Sequence, residues 1–319
     1  ANTVDADYFA SLNTDLSKPL YNYATQERTA PGSTFKMVSS VAGLATGVIT
    51  PTTQIMDKGV YENISNHPRC WAYPRTHGGI NVSQAIRDSC NYFFYTIGHD
   101  LGIDTLGEYA HALGLGVSTG IELVETTGNM SNAANHMDYA GSEWRIGDTL
   151  QAAIGQSDSV FTPLQLAEYC AAVANNGERH SASILKSIRN YDYSEKVYER
   201  QDEVLSTVES PQYNWDAIHE GMKEVINSPL NETNYLNFYD CAVTVAGKTG
   251  TAQKGEGIKN DGLFICYAPY EDPEIAVAVV VERGHAGASV GFIARQIVDV
   301  YLNIRSYSNT SESEMSLLK

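Results

Sequence analysis

Pro31-Gly32-Ser33-Thr34-Phe35-Lys36 leads into an apolar run in which Met37, Val38, Val41 and Leu44 recur at helical spacing, and Gly47 supplies a C-terminal cap. A helix with such a stripe must be buried, and it carries a serine and a lysine in with it. Ser33 and Lys36 stand at i and i+3, so their polar tips are expected to emerge together, about 5–6 Å apart at Cβ. That is the spacing of a nucleophile and its base. A serine hydroxyl needs a neighbour to take its proton. A lysine can do so only when neutral, a state that burial favours by penalising the ammonium. The helix start adds partial positive charge beside Ser33, whose backbone N–H is a candidate for half of an oxyanion hole. Pro31-Gly32 suits a tight entry to the helix.

Spacing alone decides nothing. Ser183-Ile184-Leu185-Lys186 repeats it, but follows the polar run Asn175-Asn176-Gly177-Glu178-Arg179-His180 and precedes no long apolar helix. It reads as the start of a strand.

With 319 residues, 43% of them hydrophobic, the chain has material for one large domain or two small ones. A formal charge of -17 and the lack of a basic stripe argue against nucleic acid. No run of eighteen apolar residues is present, and no signal peptide precedes Ala1. The abrupt opening Ala1-Asn2-Thr3 suggests a piece of something longer. Cys70, Cys90, Cys170, Cys241 and Cys266 lack C-x-x-C spacing, which speaks against zinc and against a dense disulfide framework. Cys70 and His77 offer two ligands where a structural metal site needs four, so neither metal nor cofactor is expected.

Residues 50–80 read as loop, punctuated by Pro51, Pro68, Pro74 and Gly78-Gly79. Helices are expected from Asn81 through Ile86, from Tyr92 to Leu101, from Asp104 to Leu113, and from Thr162 to Gly177. β character is expected only afterwards: a strand at Ala242–Gly247, and a hairpin of Leu263–Tyr267 with Glu274–Val281 around Pro269-Tyr270-Glu271-Asp272-Pro273. Phe292, Ile293, Ile297, Val300, Tyr301 and Ile304 read as the apolar face of a final helix covering the sheet.

Two further motifs carry chemistry. Ser89-Cys90-Asn91 falls where one short helix stops and the next starts, so its hydroxyl and amide are placed to project from a bend, suited to proton relay and substrate hydrogen bonding; as a bare pattern it also fits an ordinary helix cap. Lys248-Thr249-Gly250-Thr251 lies on the expected strand behind Ala246-Gly247. A point charge flanked by threonine hydroxyls makes a carboxylate receptor, and glycine within a strand often marks close approach of a ligand; an exposed edge lysine is the plain alternative.

Ser-x-x-Lys, Ser-x-Asn and Lys-Thr-Gly, in that order, are the motifs of penicillin-binding proteins and class A β-lactamases. The chain resembles the transpeptidase domain of a class B penicillin-binding protein over nearly its whole length. Tyr92-Phe93-Phe94-Tyr95, Gly114-Leu115-Gly116 with Thr119-Gly120-Ile121, Gly147-Asp148-Thr149-Leu150, Ile154-Gly155-Gln156, Thr162-Pro163-Leu164-Gln165 and Phe264 to Pro269 share in the resemblance. The segment Glu282-Arg283-Gly284 to Gln296 leans toward the elongation class. The chain departs from the family at Ser157, where another glycine follows Gly155-Gln156, and in having only thirty-two residues before Ser33.

The resemblance implies an α/β fold of the serine β-lactamase type, with an antiparallel central sheet flanked by helices and an all-helical subdomain. Residues 1–319 would form one transpeptidase domain: 50–165 the mostly helical part carrying Ser89-Cys90-Asn91, 1–49 and 166–319 the α/β part. Upstream strands, a pedestal domain and a membrane anchor would lie outside this chain, placing the protein on the outer face of the bacterial cytoplasmic membrane. It further implies that Ser33 attacks the D-Ala-D-Ala bond of a peptidoglycan stem peptide with Lys36 as base, and that Ser89 passes a proton to the departing D-alanine. Asn91 would hold the donor's amide. Lys248, Thr249, Gly250 and Thr251 would bind the terminal carboxylate, and the N–H groups of Ser33 and Thr251 the oxyanion. A neighbouring stem's amine would accept the acyl group, β-lactam antibiotics would trap it, and a membrane glycosyltransferase would be the partner. The rivals on the same fold are a β-lactam sensor, a D,D-carboxypeptidase and a β-lactamase, for which Glu232-Thr233-Asn234-Tyr235-Leu236-Asn237 faintly resembles a deacylation loop.

Overall fold

Residues 4–255 and 257–302 are described by the computed structural model. Strands Ala246–Ala252, Asp261–Ala268 and Ile275–Val281 form an antiparallel sheet in that order. All eight residues of the middle strand are buried, so both faces of the sheet are covered. Helices Pro163–Ala174, Gln212–Asn227 and Gly291–Tyr301 pack on it.

Beside the sheet lies helix Lys36–Ala45, buried from Lys36 through Leu44 on every side, as a helix at the centre of a domain must be. It packs against helix Asn91–Ala112 and against Gln212–Asn227. Asn81 opens helix Val82–Arg87 with a reciprocal capping box to Gln84. The two helices expected from Tyr92 and Asp104 are the halves of Asn91–Ala112, separated by a kink at Gly102.

Several expectations need correction. Residues 50–80 are not all loop, because Ile55–Asp57 pairs antiparallel with Gly78–Ile80. The strand expected at Ala242 starts at Ala246 and runs through the Lys-Thr-Gly motif to Ala252, since its pairing with Asp261–Ala268 begins at Ala246↔Tyr267. Near the Ser183 decoy, the strand is Ser187–Arg189, and Ser183 itself sits in a loop with its hydroxyl on Glu122. The final helix covers the sheet with a different face: Gly291, Ala294, Arg295, Val298 and Asp299 are buried, whereas Phe292 is half exposed. The guanidinium of Arg295, bonded to Asp299 and Asp240 at 2.7 Å each, explains how charged residues hold that inner face. Ile304 lies outside the described residues.

Candidate functional site

Ser33 sits in a 3₁₀ turn, Gly32–Phe35, immediately before the buried helix rather than in its first α-turn. The turn is pressed against the Lys-Thr-Gly strand. A Cβ on Gly32, whose φ is +53°, would fall 2.5 Å from Thr251 O, and one on Gly250 would fall 2.8 Å from Pro31 O. Both glycines therefore serve contact between protein backbones: Gly32 makes the tight entry the sequence suggested, while within the strand, where glycine suggested close approach of a ligand, Gly250 meets the Ser33 turn instead. Gln156 Nε2 donates to Thr251 O at 3.1 Å, and Gly32 N–H to Gly155 O at 2.9 Å, so the Gly155-Gln156 loop clamps turn and strand together.

The Ser89 bend is a Schellman ending of helix Val82–Arg87. Ser89 N–H bonds to Ile86 O and Cys90 N–H to Ala85 O, with Ser89 at φ +53° in the position glycine usually fills. A serine in that left-handed conformation puts its hydroxyl at the mouth of the bend. The indole Nε1 of Trp71 holds Ser89 O at 3.0 Å, a contact without any periodic signal in the sequence.

Lys36 is fully buried, and its Nζ donates to Ser89 O at 2.7 Å, Ser89 Oγ at 3.0 Å and Asn91 Oδ1 at 2.7 Å. Among the described residues it makes no hydrogen bond to Ser33. The direct contact expected from i, i+3 spacing is thus replaced by one with the Ser89 bend, which offers three acceptors to the protonated amine; the neutral amine can fill only two of them, which leaves its lone pair for a proton. Burial brings Lys36 down to about 7, against the opposing pull of Cys90 and Cys70. Lys248 is 1% exposed, not an open edge lysine, and its Nζ reaches Ser89 Oγ at 3.1 Å. Burial first, then repulsion from Lys36, holds it well below the usual ammonium value.

A cleft of about 720 Å³ opens over this cluster. Ser33, Ser89, Asn91, Thr249, Gly250 and Thr251 all line it. Every residue singled out in the three motifs is therefore at the cleft or, for the two lysines, directly beneath it on Ser89. Asn91 Oδ1 is taken by Lys36 and its amide also bonds to Tyr95, which leaves one amide N–H for a ligand carbonyl.

Behind Ser89 the fold assembles what the sequence left apart. Asp57, Cys70, His77 and Cys90 bring their ligand atoms within 4.8 Å of one another. His77 Nδ1 is 2.7 Å from Asp57 Oδ2, and the two sulfurs are 3.8 Å apart. A tetrahedral ion with bonds of about 2.0–2.3 Å needs its ligands roughly 3.5 Å apart, so four donors of this type and spacing suit zinc. Cys70 and His77 did lack partners in the sequence; the ribbon of Ile55–Asp57 with Gly78–Ile80 and the bend at Cys90 supply them.

The family described as penicillin binding protein transpeptidase domain matches residues 3–299. Peptidoglycan D,D-transpeptidase MrdA of Haemophilus influenzae is 34% identical over 94% of this chain and 48% of its own length. The chain spans about half the length of the curated relatives it matches. Among solved structures, Pseudomonas aeruginosa PBP2 in complex with WCK 5153 superimposes with a TM-score of 0.82 at 28% identity, covering 98% of this chain and 69% of that one. The imipenem acyl-enzyme of penicillin-binding protein A from M. tuberculosis gives 0.79 at 25%, covering 93% and 65%. Three motifs gathered on one hydroxyl, a matching fold and a matching family lead to one conclusion: the chain belongs to the penicillin-binding protein transpeptidase domain family.

Proposed function

We propose that this chain is the transpeptidase unit of a peptidoglycan D,D-transpeptidase of the elongation class, acting on D-Ala-D-Ala stem peptides and inhibited covalently by β-lactams. The observation that carries the reading is that Lys36 and Lys248, from two separate motifs, both hold the hydroxyl of Ser89, from the third, at the edge of the cleft that Ser33 lines.

The chemistry follows from that cluster. Neutral Lys36 accepts the proton of Ser33 as its Oγ attacks the penultimate D-alanine carbonyl. Apo contacts of this kind often tighten only in the substrate complex. The oxyanion rests on the N–H groups of Ser33 and Thr251. Lys248, with Thr249 and Thr251 beside it, takes the terminal carboxylate, and Gly250 keeps that strand against the Ser33 turn. Ser89, fed by both lysines, gives a proton to the departing D-alanine nitrogen. Asn91 orients the donor amide through its remaining N–H. A zinc-type ion on Asp57, Cys70, His77 and Cys90 would fix the bend that carries Ser89, since Cys90 is the central residue of that motif.

The relatives also inform setting and partners. Helicobacter pylori PBP2 has been solved in complex with MreC, and another neighbour is part of a peptidoglycan synthase complex that couples polymerisation and crosslinking. By that likeness this domain acts on the outer face of the cytoplasmic membrane beside a glycosyltransferase. No helix among the described residues is long and apolar enough to cross a membrane.

The test is a D-Ala-D-Ala donor supplied with an amine acceptor. Release of D-alanine with formation of the cross-linked product is expected. Acylation by penicillin without D-alanine release under any donor would favour a sensor, and rapid hydrolysis of the penicilloyl ester a β-lactamase.

A further inference from the structure

Tyr95 stands one helical turn after Asn91, so helix Asn91–Ala112 presents both on one face. It has no part in the three motifs. Yet it lines the cleft beside Asn91 and Gln151, with 3% of its surface left open. Packing brings the third of these in, because helix Ile146–Ala153 lies against helix Asn91–Ala112 and carries Gln151 to the phenol.

The neighbours decide how the hydroxyl can act. Lys36 takes Asn91 Oδ1 at 2.7 Å, which turns the amide nitrogen of Asn91 to Tyr95. Gln151 gives the phenol oxygen another N–H. Its acceptor side is thereby supplied from the protein, while no protein acceptor takes its own O–H among the described residues. Tyr267 Oη is sealed in the interior without a partner; Tyr95 Oη is not so sealed, and the space Tyr95 borders is the cleft. Burial pushes the phenol up to about 12, against the hydrogen bonds from Gln151 and Asn91, so the donor keeps its proton at neutral pH. Packing alone does not call for that hydroxyl. Phe93 and Phe94 on the same helix are fully buried as plain rings, and a polar tip brought in with a ring costs free energy unless it is used.

We propose that Tyr95 is a further substrate-binding residue, whose O–H joins the remaining N–H of Asn91 in a clamp on the carbonyl of the donor amide, with Gln151 as the positioning residue that holds the phenol; the inference rests on the transpeptidase reading above. A carbonyl oxygen has two lone pairs and accepts both donors. One donor leaves the amide free to swing about the bond, whereas two fix its plane and with it the scissile carbonyl in front of Ser33. Ligands that carry an amide at this place are therefore favoured over those that lack it.

The experiment compares second-order acylation of this chain by two probes with one nucleus: benzylpenicillin, which carries the side-chain amide, and aminopenicillanic acid, which lacks the acyl group. Tyr95→Phe keeps the ring and removes the donor. The ratio of the benzylpenicillin rate to the aminopenicillanic acid rate should fall about fivefold to tenfold, because the loss falls on the ligand that has the amide. Gln151→Leu should lower the same ratio by a smaller factor. Should Tyr95→Phe fail to fold, as circular dichroism would show, Gln151→Leu carries the test by the same ratio. An unchanged ratio would overturn the clamp, and so would a parallel fall with both probes, which is what a structural role would give. Absence of acylation in the unaltered chain by either probe would instead bring down the transpeptidase reading, and the clamp with it.

Discussion

Lys36 and Lys248 lie on the same hydroxyl: their Nζ atoms are 3.0 and 3.1 Å from Ser89 Oγ. Two ammonium groups so close and so deeply buried repel each other and lose hydration, which favours a neutral amine in the pair. The site is thereby built to accept a proton near neutral pH without a histidine.

The first prediction concerns pH. Burial brings Lys36 down to about 7. Protonated Lys36 cannot take the Ser33 proton, so acylation slows as pH falls below that value and reaches a plateau above it. Stopped-flow acylation by penicillin should show the rise. Lys36→Arg, which cannot deprotonate, should lose about 10²–10⁴-fold at every pH. A rate that stays flat from about pH 5 to about pH 9 would contradict Lys36 as the base.

Ser157 offers a test of the loop behind the oxyanion position. It stands where the resemblance leads one to expect glycine, and its backbone has the left-handed φ of +69° that glycine adopts most easily. A left-handed residue with a side chain costs about 1–2 kcal/mol, partly offset by the extra freedom glycine loses on folding. Ser157→Gly should therefore stabilise the domain by about 0.5–1 kcal/mol in urea titration, with acylation unchanged. A destabilised variant would show that the serine side chain has a role its backbone geometry does not reveal.

The four-ligand cluster predicts metal dependence. Protein purified without chelator should carry about one zinc per chain. Its removal should lower Tm by roughly 5–10 °C and slow acylation through the loosened Ser89 bend. The hydrogen bond between the two thiols favours the thiolate at Cys70, aided by His77 and opposed by burial, and holds Cys90 protonated, so a metal would have to displace one thiol proton of the pair. Metal analysis that finds none, together with a chelator-insensitive Tm, would leave the cluster a hydrogen-bonded network only.

What could be read in advance was local. The Ser33 turn, the bend at Ser89 and the lysine strand each announce themselves within a few residues, through Pro-Gly, through the stop of one helix and start of another, and through alternation behind Ala246-Gly247. What could not be read depends on distant partners. Asp57 joins Cys70, His77 and Cys90 only because Ile55–Asp57 pairs with Gly78–Ile80 across a loop of twenty residues between their paired ends, Asp57 and Gly78. The i, i+3 spacing points Lys36 at Ser33 and says nothing of Ser89, fifty-three residues away. The inner face of the final helix differs from its most apolar face, because Arg295 is buried by pairing with Asp240 and Asp299, which hydrophobicity alone does not signal.

The most direct test of the account is peptide mapping by mass spectrometry after reaction with penicillin, on the unaltered chain and on Ser33→Ala. The account predicts one penicilloyl adduct, on the peptide containing Ser33, and none in the variant, which should keep its circular dichroism and Tm. An adduct on Ser89 or Ser183, or labelling that survives in Ser33→Ala, would contradict it.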